Sequence, residues 1–315
     1  MKEDAVRAAN DSTFRTMQCD LQAVLYLPTN DVSLLFYKKK LSSYNFTISC
    51  GNQGYCYYWC ETDGNRGAIE IATYLTEHLF SLPSDVTHVS IWSDCCAGQN
   101  RNQFVAAMLL YVASHDKGPV VIEQKFLESG HTQNDCDTMH SNIENASHGH
   151  EIGIPSEWAN ILRMARPNKN RFIVRTLQYT GFKDVKQYAN RIFANKRPAI
   201  PWNQIKILRF DGSEPTQFQY AKDFNSQLQV FELPNKRLDQ PATRHNKSGG
   251  SLSFDMRPAY NAKLPISAAK KQDLLYLCKH GAINQDFWFF YENLSTADED
   301  AEPELDEQVG VDSES

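Results

Sequence analysis

The 315-residue chain lacks several features that would settle its class quickly. No apolar run approaches the roughly 18 residues needed to cross a bilayer, so no transmembrane helix is predicted. The opening stretch MKEDAVRAANDSTFRT is polar and charged and has no apolar heart, so it does not read as a secretory signal. No Cys-x-x-Cys occurs among the eight cysteines. Cys56 and Cys60 are spaced like weak zinc ligands, but no second pair completes a site, and half-buried strand cysteines are the better reading. Without a secretory signal, reduced thiols in a nuclear or cytoplasmic protein are expected. Internal repeats are missing, and so is a compact Lys/Arg cluster of the nuclear-import type.

After Thr296 there is no Lys or Arg, while nine acids follow, which outweigh the formal net charge of −6. The remainder is therefore net positive. Its basic character is concentrated between Trp158 and Lys247, where 17 Lys or Arg stand against 6 Asp or Glu. A basic lobe followed by an acidic tail points to a polyanionic partner, with the tail as an internal competitor. The plainer alternative is a solvated surface and a disordered tail. A hydrophobic content of 41% is enough for a packed core.

What is present centres on His88 to Glu144, which reads strand, helix, strand, helix. The strand His88 to Trp92 ends at Asp94. The strand Val120 to Leu127 runs into His131 and the acid pair Asp135 and Asp137. Upstream, Met17 to Pro28 reads as a strand with Asp20 inside it. An ionised carboxylate in a buried strand is costly unless a cation or donors meet it. Leu41–Cys50 and Tyr55–Glu61 are rich in β-formers and joined by Gly-Asn-Gln-Gly, a hairpin signal. Asn65 to Ser81 has helical spacing and stops before Pro83, and Arg101 to His115 is the next helix.

The predicted order is β-β-β-α-β-α-β-α. Three antiparallel strands followed by two parallel ones is the ribonuclease H order. It predicts an α/β fold, a ribonuclease H-like mixed sheet flanked by helices, with a mixed α+β C-terminal extension. The expected organisation is a flank over 1–16, a core over 17–150, a basic extension over 151–294 packed on the core, and an acidic disordered tail over 295–315.

In that topology Asp20, Asp94 and an acid on the last helix converge. Phosphodiester cleavage needs an activated attacking oxygen and a stabilised leaving oxygen, which two divalent ions supply. Hard ions such as Mg2+ or Mn2+ want carboxylate oxygens. For the third ligand Asp137, Asp135 and Glu144 compete, Glu144 lying two turns beyond Asp137 on nearly the same face. Gln99, Asn100 and Arg101 open the helix after Asp94, and backbone N–H groups there are a candidate phosphate cradle; helix capping by Asn100 is the alternative. His131 and His140 flank the acids as candidates for general acid, phosphate contact or ligand, although a structural role is the plainer reading of each.

The pieces WSDCCAGQNRNQFVAAMLLY, KFLESGHTQNDCDTMHSNIE, CDLQAVLYLP, FYKKKLSSYNF, NRGAIEIATYL and LPISAAKKQDLLYL resemble a transposon-derived protein family found in many copies in animal genomes. The resemblance covers Met17 to Leu294. Relatives typically carry GGQN where this chain has Ala97-Gly98-Gln99-Asn100, a change that keeps the turn. The resemblance implies a ribonuclease H-like domain of the DDE transposase type, with Asp20, Asp94 and Asp137 as the acidic triad. It favours Asp137 over Asp135 by its distance from His131. The first expectation for function is a metal-dependent nuclease or strand transferase acting on DNA through these three aspartates. The N-terminal DNA-binding or zinc-finger region common in such proteins is not seen, which implies a fragment, a degenerate copy or a domesticated gene. The competing expectation is therefore a catalytically inactive nucleic-acid- or protein-binding module.

Overall fold

A computed structural model describes residues 1–30, 32–127, 134–166, 170–193, 200–233 and 256–297. His131, residues 234–255 and the acidic tail from Asp298 onwards lie outside the described residues.

The first strand is shorter at its far end than expected. β1 spans Phe14–Leu21, and a separate β2 covers Leu25–Leu27. The break falls at Gln22, a buried side chain whose Oε1 accepts from Asn45 Nδ2 at 2.9 Å. The chain there leaves β1 and pairs again at Ser43. The hairpin follows as predicted: β3 spans Leu41–Cys50 and β4 spans Gln53–Cys60, turned at Gly51, whose φ of +59° suits a residue without a Cβ. Next come α2 (Ala68–Phe80), β5 (His88–Ser93), α3 (Gln103–Ala113), β6 (Val121–Phe126) and α4 (Asp135–Ser147). Ahead of them all, within the expected flank, Lys2–Asn10 forms α1.

β1 pairs antiparallel with β3 and parallel with β5, β3 pairs antiparallel with β4, and β5 pairs parallel with β6. The central order is therefore β4-β3-β1-β5-β6. The protein is α/β, with a mixed sheet flanked by helices. The later chain extends the same sheet at both edges. α5 (Pro155–Met164) leads to β7 (Ile173–Thr176), which joins β4 in parallel. α6 (Val185–Ile192) is followed by β8 (Ile207–Asp211), β9 (Gln217–Ala221) and β10 (Gln229–Glu232), added antiparallel beyond β6. α7 (Ala268–Lys279) and α8 (Trp288–Glu292) close the described chain.

Strand alternation sorts side chains onto two buried faces. On one face, Met17, Cys19, Phe46, Ile48, Tyr57 and Trp59 pack with α2, α3 and α6. On the other, Cys56, Tyr58 and Cys60 pack with α4, α5 and α7. α1 buries no residue and is held to this second face by polar contacts. The Asp4 carboxylate accepts from Ser90 Oγ at 2.6 Å, Trp92 Nε1 at 2.8 Å and Lys125 Nζ at 2.8 Å. No helix among the described residues is long and apolar enough to cross a membrane.

Candidate functional site

Asp20 is the next-to-last residue of β1 and faces the α4 side of the sheet. The alternation requires this: Cys19 and Leu21 enter the opposite core, leaving Gln18 and Asp20 on the α4 side. In the parallel β1/β5 register Cys19 lies opposite Ser93, so Asp94 follows at the level of Asp20. Ser90 and Trp92 face α1, and the same parity carries Asp94 to that side. Two carboxylates thus stand at adjacent strand ends where helices begin, the position at which open α/β sheets form their sites.

α4 approaches from above and is fixed at its N-terminus. Asn134 caps it by accepting from Cys136 N at 3.1 Å, and Asp137 Oδ2 accepts from Asn134 N at 3.0 Å, a reciprocal capping box. Gln18 anchors the same end: its Nε2 donates to Asp135 Oδ2 at 2.7 Å, and its Oε1 accepts from Asp135 N at 2.9 Å. One turn later His140 lies on the same face as Asp137. As a result Asp20, Asp137 and His140 each bring a ligand atom within 4.8 Å of the others.

The expected acids thus separate into different roles. Asp20 and Asp137 meet. Asp94 does not join them at that spacing, though its charge is felt. Burial first, then the Asp94 carboxylate, push the Asp20 carboxyl up to about 6; Asp137 adds to this, while the Leu21 N–H and Arg66 oppose it. Asp135 is engaged by Gln18 at the helix end. Glu144 is exposed and stands outside the group of three.

His140 is the residue that the spacing of acids did not single out. Its Nε2 lies 2.9 Å from Thr47 Oγ1, and that hydroxyl donates to the Asp20 carbonyl at 3.1 Å. With the hydroxyl proton committed there, Nε2 is the ring's donor and the lone pair resides on Nδ1. Burial pushes the imidazole down to about 4, with Asp137 opposing, so the ring is neutral near pH 7 and able to ligate. The D-x-x-H spacing at Asp137 and His140 was the available sequence signal, but it is common on helices that bind nothing.

The loop after β5 serves Asp94. Asn100, fully buried, donates its side-chain amide to Asp94 Oδ1, and the Cys96 N–H donates to the same oxygen at 3.3 Å. The expected backbone phosphate cradle is not available: the N–H groups of Gln99, Asn100 and Arg101 all point to the Cys96 carbonyl, at 3.2, 2.8 and 3.0 Å. An N–H spent on a carbonyl cannot hold an anion. Helix capping falls to Asn102 rather than Asn100, its Oδ1 accepting from Phe104 N and Val105 N at 3.0 Å each. The Arg101 guanidinium lies 5.9 Å from the Phe126 ring centre. Gln99 and Arg101 retain side chains at the rim of the site, both partly exposed.

Asp20, Asp137 and the neutral His140 imidazole, with Asp94 on the adjacent strand end, are the residues that could hold a divalent cation. Comparison with protein-family models, with curated proteins and with solved structures finds no match for the chain.

Proposed function

We propose that the chain is a ribonuclease H-like, transposase-derived nuclease that cleaves or joins phosphodiester bonds in DNA with divalent metal ions. The meeting of Asp20, Asp137 and His140 beside Asp94 carries the reading. The sheet order β4-β3-β1-β5-β6, with its antiparallel half and its parallel half, supports it as the order expected of a ribonuclease H-like domain.

In this reading Asp20 and Asp137 supply carboxylate oxygens to Mg2+ or Mn2+, and His140 supplies a nitrogen oriented by Thr47. Bound divalent ions would activate the attacking oxygen and stabilise the leaving one. Asp94 is held through Oδ1 by Asn100 and the Cys96 amide, a carboxylate positioned in advance. Burial, with the Asp94 and Asp137 charges added, disfavours the ionised form of Asp20, and a cation there takes the place of its proton. Gln99 and Arg101 are the side chains at hand for substrate phosphate.

The test is nicking of supercoiled DNA in Mg2+ or Mn2+ by the wild-type chain and by Asp94→Asn. Wild type should nick, and the variant should lose the activity. Equal activity in both proteins would reject the mechanism. A second reading has one observation in its favour: Asp94 and Asp137 each make a local structural bond, to Asn100 and to the Asn134 N–H. A captured, inactive transposase acting as a binding module would keep those bonds for folding alone. Binding of Mn2+ separates the two, since a purely structural cluster would take up none.

A further inference from the structure

Between β2 and β3 the chain makes a short 3-10 turn, Ser33–Tyr37. Leu35 is buried, but Phe36 and Tyr37 are 83% and 82% exposed, with their rings edge to face at 5.2 Å. Two adjacent large aromatics held in contact with each other, yet solvated, gain nothing for the fold. Single exposed apolar residues are ordinary, whereas a preformed pair with charged neighbours suggests a ligand surface.

The neighbours are basic. Lys38, Lys39 and Lys40 follow at once. The Lys38 ammonium lies 4.3 Å from the Tyr276 ring centre on α7 and 2.8 Å from Asp273 Oδ1. That pair pins the turn to the helix, a link strengthened by the Lys39 N–H donating to Asp273 Oδ2 at 3.0 Å. Lys40 lies 5.8 Å from the half-exposed Tyr26 ring. Tyr276 is stacked on His280 at 3.8 Å, and the exposed Lys279 stands between them in sequence. The turn thus brings an exposed aromatic pair and a run of lysines against the Tyr276 end of α7.

We propose that this surface is a platform for single-stranded nucleic acid. Phe36 and Tyr37 stack on bases, while Lys39, Lys40 and Lys279 meet phosphates. Sequence-tolerant single-strand binding uses this pairing of rings with a positive track. The surface is distinct from the acid cluster but lies at the same end of the sheet. β3 begins at Leu41, directly after the turn, and its Thr47 stands opposite Asp20, about 20 Å away at the usual strand rise. A strand lying on the platform can thus run on toward the acids. The proposal rests on the nuclease reading only for the choice of nucleic acid as partner, and its binding step needs no metal.

The experiment is fluorescence anisotropy of labelled oligo-dT and oligo-rU, in EDTA, with the full chain. The wild type should bind both oligonucleotides. The Phe36→Ala/Tyr37→Ala double variant should weaken binding by about 30-fold or more, the loss expected for two base stacks. The Lys39→Glu/Lys40→Glu variant should bind more weakly, with a salt slope smaller by about 1.4. Both pairs are at the surface, and thermal melting by circular dichroism should match wild type. Wild-type affinity in both double variants would overturn the proposal. So would wild-type binding to phosphatidylserine vesicles with no binding to either oligonucleotide, which would make the surface a membrane contact. If the wild type never nicks DNA yet the aromatic variant still loses oligonucleotide binding, the nuclease reading fails and the platform stands.

Discussion

Replacing Asp20 by Asn should stabilise the protein when divalent ions are removed. Folding raises the Asp20 carboxyl from 3.8 to about 6, because burial and the Asp94 charge disfavour its ionised form. The folded state therefore binds a proton more tightly than the unfolded state, and the wild type loses stability as pH rises from about 3.8 to about 6. Above that window the penalty is constant. Two pH units and a fraction correspond to about 3 kcal/mol at pH 8. Asn, neutral at every pH, escapes the penalty, and its Oδ1 still accepts from the Leu21 N–H. The assay is urea unfolding of both proteins in EDTA across pH. Asn should exceed wild type by about 3 kcal/mol at pH 8, an offset that shrinks to about 1 kcal/mol near pH 4.5. In thermal terms the pH 8 gap is about 6 °C, at the low end of the usual response for a chain of this size. Mn2+ at about 100 times its Kd should then add about 2.7 kcal/mol to wild type and little to the variant. A variant no more stable than wild type at pH 8, or an offset that ignores pH, would refute the buried Asp20 carboxyl beside Asp94 on which the site depends.

Other outcomes follow from single contacts. His140→Ala should weaken Mn2+ binding by about 10-fold or more, read by calorimetry, while Glu144→Ala leaves it unchanged. Asp4→Ala removes the contacts to Ser90, Trp92 and Lys125 that hold α1, and should cost about 2 kcal/mol and speed tryptic cleavage at Arg7. Asn102→Ala removes the cap of α3 and should lower stability by about 1 kcal/mol in urea unfolding. Gly212→Ala brings a Cβ to 2.0 Å from the Ala113 carbonyl oxygen, so β8 and α3 must shift apart, at a cost of about 1–3 kcal/mol in the same assay.

Much of the site was legible because its parts end regular elements. Asp94 follows a strand whose apolar residues alternate with Ser90, and Asp137 sits three residues after a capping Asn134, a local signature of a helix start. Asp20 betrayed itself as an acid within β-forming residues. Less could be read where partners are remote. Asp135 and Asp137 are alike in type and two residues apart, yet Gln18, more than a hundred residues earlier, engages one and leaves the other to the site. The backbone cradle after Asp94 looked open because the sequence does not reveal that Cys96 turns its carbonyl back on three N–H groups.

The amino-acid order by itself determined many of the elements: the β3–β4 hairpin, the strands before Asp94 and Leu127, and the helices between them. These depend on periodicity, caps and turn residues, all of which act within a few residues. Tertiary structure alone decided that β7 joins one edge of the sheet while β8, β9 and β10 extend the other, because an edge strand offers the same N–H and C=O groups to any partner. It also decided that His140 turns toward Asp20. Helical spacing fixes only that His140 shares a face with Asp137; the rotation of α4 that aims this face at the strand ends is set by Cys136, Met139 and Ile143 buried beneath it.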